Sequence, residues 1–155
     1  MSAVLQDAML IFRPMVEDDL PGIMLIEQAA YQFPWTETIF RDCLRVGYCC
    51  WTLESDDELV AHGVMSVAAG ESHILNLCVH PDSQNIGLGK DMLSHLTEIA
   101  RHHGAEMVFL EVRPSNVAAI RLYMSAGFDE VGTRNDYYPA ESGREDALIM
   151  ARNIT

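Results

Sequence analysis

The sequence has little positive charge. Its 155 residues include 10 Lys and Arg against 23 Asp and Glu, which gives a net charge of −13 with neutral histidines and a pI near 4.6. Lys90 is the only lysine. Because phosphate backbones are bound mainly by Lys and Arg, this composition predicts no direct contact with nucleic acid. An acidic surface favours a cationic partner, such as a basic peptide or a polyamine, although the same charge also serves solubility alone.

Long apolar runs are also missing. The best candidate for a membrane span is interrupted by His62, Gly63 and Ser66 and falls short of the ~18 residues that a span needs. Before Arg13 there is no other basic side chain, and Asp7 interrupts the apolar stretch, so no secretory signal is expected. These patterns predict a cytoplasmic protein that has no membrane partner.

Metal-binding patterns are absent as well. The four cysteines show no C-x-x-C spacing, and adjacent Cys49 and Cys50 are poorly placed to bridge each other, so reduced thiols are expected. His95, Glu98 and His102 share one face of a predicted helix, but they lack the H-E-x-x-H spacing of zinc proteases and are expected to lie in solvent. The sequence therefore predicts no metal site.

Strand and helix signals alternate without repeats or linkers, and at roughly 150 residues per domain the whole chain, 1–155, is expected to form a single domain. Predicted strands cover 10–13, 48–53, 59–69, 72–79, 106–113, 128–138 and 144–151, and predicted helices cover 17–31, 36–45, 87–103 and 116–126. This order predicts an α+β, mixed three-layer fold, in which a mostly antiparallel sheet carries helices on both faces. The helix at 87–103 should join two parallel strands.

Two glycines lie where a strand gives way to a helix, in Gln84-Asn85-Ile86-Gly87-Leu88-Gly89-Lys90. Glycines at a helix N-terminus remove Cβ atoms and leave backbone N–H groups accessible, which suits a phosphate or pyrophosphate. A P-loop is excluded because Gln84 occupies its first glycine position, and a Rossmann fingerprint because Met92 stands at its third. The alternative is a glycine-rich turn that only caps the helix.

The pattern Q/R-x-x-G-x-G/A in this segment resembles the acetyl-CoA pyrophosphate loop of the GCN5-related N-acetyltransferases, the GNAT superfamily. Within it, the chain from about Phe12 to Ala151 resembles the RimI family, which acetylates the N-terminal alanine of the eighteenth protein of the small ribosomal subunit. The segments that carry this resemblance are Phe33-Pro34-Trp35, Leu110-Glu111-Val112-Arg113, Ser115-Asn116, Ala118-Ala119-Ile120, Leu122-Tyr123, Gly127-Phe128, Tyr137-Tyr138-Pro139 and Arg144-Glu145-Asp146-Ala147.

The resemblance implies a GNAT fold and direct transfer of acetyl from acetyl-CoA, without a metal, to the basic N-terminus of a protein, with a ribosomal protein as the expected partner. It leaves two alternatives open: an acetyltransferase for a small amine such as a polyamine or aminoglycoside, and a non-catalytic acetyl-CoA binder. A monomer or weak homodimer is expected.

Glu111 is the candidate general base, because an amine attacks a thioester only when it is neutral and must lose a proton. Strand alternation puts Glu111 on the face of Met107 and Phe109. From the residues alone, an ion pair with Arg113, two residues further on, is an equally simple role. The resemblance assigns the base to Glu111.

Tyr123 follows Asn116 by seven residues, so the two share a face of the predicted helix. From the residues alone, Tyr123 is a core-packing side chain. The resemblance implies that Tyr123 is the general acid for the CoA thiolate and that Asn116 contacts CoA. A tyrosine with a pKa near 10 keeps its proton at neutral pH and can give it to a thiolate.

The strand Leu77-Cys78-Val79 is implied by the resemblance to offer backbone groups to the pantetheine arm and to the developing oxyanion. The remaining CoA contacts are expected from Gln84, Asn85, Ile86, Gly87, Leu88, Gly89 and Lys90. Lys90 departs from the Arg common in the family and binds phosphate without bidentate geometry. Cys78 is not expected to be a covalent nucleophile, because the sequence places no His base beside it.

Aromatic and acidic residues are the candidates for substrate recognition. Phe33, Trp35, Tyr137 and Tyr138 are expected to line a slot for a peptide N-terminus. Glu145 and Asp146 are expected to attract its basic side chains. The alternative is that the aromatic residues close the core beneath the loops.

Overall fold

The structure, a computed structural model, describes residues 9–155, so the segment around Asp7 lies outside it. In that range the strands are β1 (Leu10–Pro14), β2 (Cys49–Ser55), β3 (Glu58–Ala68), β4 (Glu71–Val79), β5 (Met107–Val112), β6 (Asp129–Pro139) and β7 (Arg144–Asn153). The α-helices of the same range are α1 (Leu20–Ala30), α2 (Glu37–Arg45), α3 (Leu88–His102) and α4 (Val117–Ser125). The order of strands and α-helices confirms the sequence-based assignment, but the first turn at Glu17–Asp19 is a separate 3₁₀ helix and a second, unpredicted 3₁₀ helix covers Pro81–Ser83.

The strands form one sheet over the described residues, in the order β1-β2-β3-β4-β5-β7-β6. The pairs β1–β2, β2–β3, β5–β7 and β6–β7 are antiparallel. β4 and β5 are parallel and are joined through α3, as expected for a crossover connection. The structure therefore confirms the α+β class and the mostly antiparallel sheet.

The chain divides into two compact units, and β3, β4 and α3 each contribute to both. Of the described residues, the first unit contains 9–65 and Asn76–Leu96, and the second contains Ser66–Leu75 and Thr97–Thr155. The single domain expected from the length stays a prediction. Each unit has an apolar core: the first buries Leu20, Ile23, Phe40, Leu53 and Leu93, and the second buries Val108, Leu110, Phe128 and Met150.

His95 corrects one expectation about α3. It was predicted to lie in solvent, but its ring stacks on Phe12 with 4.2 Å between centroids and meets Trp51 edge-on at 4.3 Å. Burial lowers the pKa of His95, and its buried Nε2 has no hydrogen-bond partner among the described residues. The expectation was wrong because a helical wheel shows only the face of α3 and not the strands β1 and β2 that cover it.

Residues 9–155 contain no helix with both the length and the apolar composition needed to cross a membrane. All four cysteines are free thiols. Burial raises the pKa of three of them, Cys43, Cys49 and Cys78, and that of Cys50 to about 12. Protonated thiols are therefore the stable form at neutral pH.

Candidate active site

Glu111 lies in the second half of β5, in the second unit. Side chains of this strand alternate between the core and a less buried face, which Glu111 shares with Met107 and Phe109 as predicted. Even on that face, only 7% of the Glu111 side chain is exposed. The residue lines a cavity of about 380 Å³ in the second unit. A carboxylate in the wall of such a cavity can act on a small group that enters it.

Two groups hold the Glu111 carboxylate, one at each oxygen. His73 of β4 hydrogen-bonds through Nε2 to Oε2, and Arg134 of β6 places Nε 3.2 Å from Oε1. Arg134 thus forms the ion pair that strand alternation suggested for Arg113. The parallel register sets His73 beside Phe109, on the face that Glu111 shares. Sequence analysis missed both partners, since only strand register and the β6–β7 pairing bring them to Glu111.

Arg113 organises the loops beyond the end of β5. Its Nη1 donates to the carbonyl oxygen of Pro139 at 2.8 Å and lies 3.1 Å from Glu145 Oε1. Its guanidinium group lies 4.4 Å from the ring centroid of Tyr138. Burial raises the pKa of Tyr138, and the positive charge of Arg113 lowers it. The effect of burial is larger, so the pKa of Tyr138 is raised.

Glu145 and Asp146 also stabilise local structure. Glu145 Oε2 accepts a hydrogen bond from the Ser115 N–H at 3.0 Å. Hydrogen bonds from Ser115, followed by those from Arg113, hold the pKa of Glu145 below its usual range. Asp146 Oδ1 accepts from the Asp136 N–H at 2.9 Å. Their attraction for basic substrate side chains stays a prediction.

Tyr137 and Tyr138 pack edge to face, with 4.8 Å between ring centroids. Tyr137 is 43% exposed, and Arg134 lies 5.6 Å from its ring centroid. Burial, and then the charge of Glu111, raise the pKa of Tyr137. The second unit therefore combines exposed aromatic surface with the groups around Glu111, which is a suitable arrangement for holding a peptide end.

Tyr123 is buried in α4, with its ring centroid 5.9 Å from that of Phe128. Burial raises its pKa to about 12, so the hydroxyl keeps its proton at neutral pH, as a general acid requires. Asn116 is the N-cap of α4, where its Oδ1 accepts from the Ala119 N–H at 3.1 Å. Asn116 thus has a structural role, and its predicted contact with CoA is untested.

The segment between β4 and α3 belongs to the first unit and has the geometry of an anion site. Gln84 Nε2 donates to the carbonyl oxygen of Val79 at 2.9 Å, which closes the turn. Asn85 and Gly87 adopt positive φ angles of 66° and 91°. Because α3 begins at Leu88, its first N–H groups have no acceptor within the helix and carry the positive end of its dipole.

The same segment has room for a ligand. A Cβ atom added to Gly87 would meet nothing within 4 Å among the described residues. Lys90 lies in the first turn of α3, with an exposed side chain. A pyrophosphate therefore fits the backbone donors, the open space at Gly87 and the nearby cation.

The strand segment Leu77–Val79 has partners on two of its carbonyl groups. Tyr31 donates to Leu77 O at 2.5 Å, and Gln84 donates to Val79 O. Cys78 lies between these two residues, and its buried sulfur is 3.9 Å from the carbonyl oxygen of Ile26. A ring nitrogen of His62, which the sequence did not place beside this thiol, lies within 4.8 Å of the sulfur, but burial raises the pKa of Cys78, which does not suit covalent catalysis.

Trp35 and Phe33 differ in their surroundings. The Trp35 ring lies 5.1 Å from Phe40, a fully buried residue, whereas Phe33 is 38% exposed. The backbone N–H of Trp35 donates to Glu27 Oε2 at 2.9 Å, and this hydrogen bond connects the loop to α1. Core packing thus accounts for part of the Trp35 contacts, and the substrate role of both aromatic residues stays a prediction.

Glu27 is the centre of a buried polar cluster that sequence analysis missed. Its Oε1 accepts from His62 Nε2 at 3.0 Å and from Asn76 Nδ2 at 3.2 Å. Ligand atoms of Glu27, His62 and Cys78 lie within 4.8 Å of one another, a donor set that zinc can use. Both Glu27 oxygens already accept hydrogen bonds, however, and burial favours the protonated Cys78 thiol. We therefore interpret the cluster as support for the Trp35 loop.

The chain is similar to known proteins in both sequence and structure. The profile of the Acetyltransferase (GNAT) family matches residues 16–128. The [ribosomal protein bS18]-alanine N-acetyltransferase of Escherichia coli K12 is 42% identical over 137 residues, which cover 88% of this chain and 93% of the relative. The crystal structure of the Escherichia coli ribosomal-protein-S18-alanine N-acetyltransferase matches with a TM-score of 0.89 and 39% identity, over 95% of each chain.

A more distant solved structure shares the fold. It is a Salmonella typhimurium protein solved with its cofactor acetyl-CoA. It matches with a TM-score of 0.79 and 20% identity, over 95% of each chain. The fold therefore extends to proteins whose sequences have diverged widely.

Proposed function

Because the chain belongs to the acetyltransferase (GNAT) family, we propose that it transfers acetyl from acetyl-CoA to the N-terminal alanine of a small-subunit ribosomal protein. The observation that carries this proposal is the nearly buried Glu111 carboxylate, held at the wall of a cavity by His73 and Arg134. The names of relatives that match nearly the whole chain support the same substrate.

The segment Gln84–Lys90 holds the pyrophosphate of acetyl-CoA in this proposal, through the N-terminus of α3 and Lys90. The backbone of Leu77–Val79 holds the pantetheine arm, and Asn116 contributes a polar contact. When bound, acetyl-CoA supplies an acetyl thioester that is activated toward amines. Every other step depends on the chain's own residues.

Glu111 accepts the proton that the attacking α-amine must lose. Tyr123 keeps its hydroxyl proton at neutral pH and holds it available for the leaving sulfur. Phe33, Trp35, Tyr137 and Tyr138 hold the peptide end, and Glu145 and Asp146 attract its basic side chains. The net charge of −13 favours such a basic protein substrate and disfavours nucleic acid. The proposal places the enzyme in the cytoplasm as a monomer or weak homodimer.

The test is mass spectrometry of a basic peptide that begins with alanine, after incubation with acetyl-CoA and this protein. We expect one acetyl group on the α-amine and none on a copy whose N-terminus is blocked. Spermidine in a parallel reaction should remain unmodified. Acetylation of spermidine alone would replace the proposal by a small-amine acetyltransferase, and acetyl-CoA binding with no product would indicate a non-catalytic binder.

Gly87→Ala tests the cofactor segment. The added Cβ enters the space assigned to the pyrophosphate, so we expect the Kd for acetyl-CoA, measured by calorimetry, to rise about tenfold. Gly47→Ala is the matched control, because Gly47 has a similar φ of 82° and equally open space around an added Cβ. Both variants should lose similar stability through backbone strain. Equal Kd values in the two variants would contradict the assignment.

A further inference from the structure

The mechanism above uses Glu111 but leaves His73 without a role. The His73 side chain is 33% exposed and lines the same cavity as Glu111. Its Nε2 reaches Glu111 Oε2, while Nε of Arg134 approaches Oε1. Both oxygens of the carboxylate are therefore held from different strands.

We propose that His73 is a positioning residue that holds Glu111 in the orientation needed to accept the amine proton. This inference rests on the proposed function of Glu111 as the base. An aspartate or glutamate carboxylate has about four lone-pair sites, so one donor on each oxygen leaves other sites for the substrate. Fixing the plane of the carboxylate directs those sites and removes the cost of orienting it during the reaction.

His73 is better suited to this task than Arg134. The Arg134 side chain is 53% exposed, and an exposed ion pair of a long side chain is weakened by solvent and by conformational freedom. The imidazole ring is rigid, has only two side-chain torsions, and hydrogen-bonds to a carboxylate that is nearly buried. Orientation of Glu111 therefore depends mainly on the hydrogen bond from His73.

The other charged or titratable groups around this pair come from two strands. Glu71 of β4 lines the cavity, and Arg134, Tyr137 and Tyr138 of β6 interact electrostatically with Glu111. Within residues 9–155, none of these groups hydrogen-bonds to His73 Nε2, whose partner is Glu111 Oε2. The expected effect of His73 is thus transmitted through Glu111.

Two substitutions separate the hydrogen bond from the volume of the side chain. His73→Phe keeps a ring but removes the donor, and His73→Gln offers an amide N–H in place of Nε2–H. For the alanine-starting peptide we expect His73→Phe to lower kcat about ten- to a hundredfold. KM for the peptide and the Kd for acetyl-CoA should stay within about twofold. His73→Gln should recover most of the loss.

The Glu111→Gln background shows whether His73 acts through Glu111. There we expect His73→Phe to cause no further loss of the residual rate, because no carboxylate remains to be oriented. His102→Phe, the same change at an exposed histidine of α3, is the control and should leave kcat unchanged. Thermal melts of every variant report whether the fold is intact.

Three results would overturn the inference: an unchanged kcat in His73→Phe, equal losses in folded His73→Phe and His73→Gln, or a further loss in the Glu111→Gln background. If Glu111→Gln itself leaves kcat unchanged, the proposed base is wrong and the inference falls with it. If Glu111→Gln is inactive while His73→Phe is fully active, only the role of His73 is lost.

Discussion

Replacement of Glu111 by Gln lowers kcat for an alanine-starting peptide by about 10²–10⁴-fold, the usual contribution of a general base. The amide has nearly the same size and can still accept a hydrogen bond, but it cannot take a proton from the amine. The substitution leaves the segment Gln84–Lys90, proposed to hold the pyrophosphate, unchanged, so the Kd for acetyl-CoA should change by less than about twofold.

The measurement combines steady-state kinetics on the peptide with calorimetry of acetyl-CoA binding. Glu130→Gln provides the matched control, since it is the same change at an exposed carboxylate of β6. We expect this control to retain full kcat. A Glu111→Gln variant whose acetyl-CoA affinity falls as far as its rate would refute the role as base.

Glu27→Ala should be the most destabilising single change in the buried cluster of the first unit. It removes the hydrogen-bond acceptor of His62 Nε2, of Asn76 Nδ2 and of the Trp35 backbone N–H. His62 is fully buried, so water cannot replace the lost hydrogen-bond acceptor. Loss of several buried hydrogen bonds should lower the free energy of unfolding by about 3 kcal/mol. For a chain of this size, that corresponds to a fall in Tm of about 10 °C.

Differential scanning calorimetry measures this loss. Glu17→Ala removes a carboxylate that is 69% exposed and pairs with Arg41, so its Tm should hardly change. Glu27→Gln keeps an acceptor oxygen, so its Tm should lie between those of Glu27→Ala and Glu17→Ala. If Glu27→Ala melted within about 2 °C of the natural protein, the cluster would not be a support for the Trp35 loop.

The fold was predictable from the sequence because its signals are local. Strand alternation identified β5 and the face of Glu111, and the length of the connection between β4 and β5 predicted their parallel pairing. His95 shows the limit of such signals. Helical periodicity placed it correctly on α3 but could not show the aromatic residues of β1 and β2 that bury it.

The partners of Glu111 were not predictable for a related reason. His73 lies between Ser72 and Ile74 and belongs to no motif, and its contact with Glu111 depends on the register between β4 and β5. Arg134 reaches the carboxylate from β6, where the pairing with β7 shifts between Arg134 and Tyr138. Register shifts of this kind leave no trace in composition or periodicity.

The buried sulfur of Cys78 bears on the chemical selectivity of an enzyme that handles a thioester. An accessible thiolate exchanges readily with thioesters, and an enzyme that carried one beside its cofactor would acylate itself. Cys78 lies in the strand proposed to hold the pantetheine arm, yet its sulfur faces Ile26 and burial raises its pKa. The protein can therefore keep a cysteine in that strand without diverting acetyl groups from the amine to its own side chain.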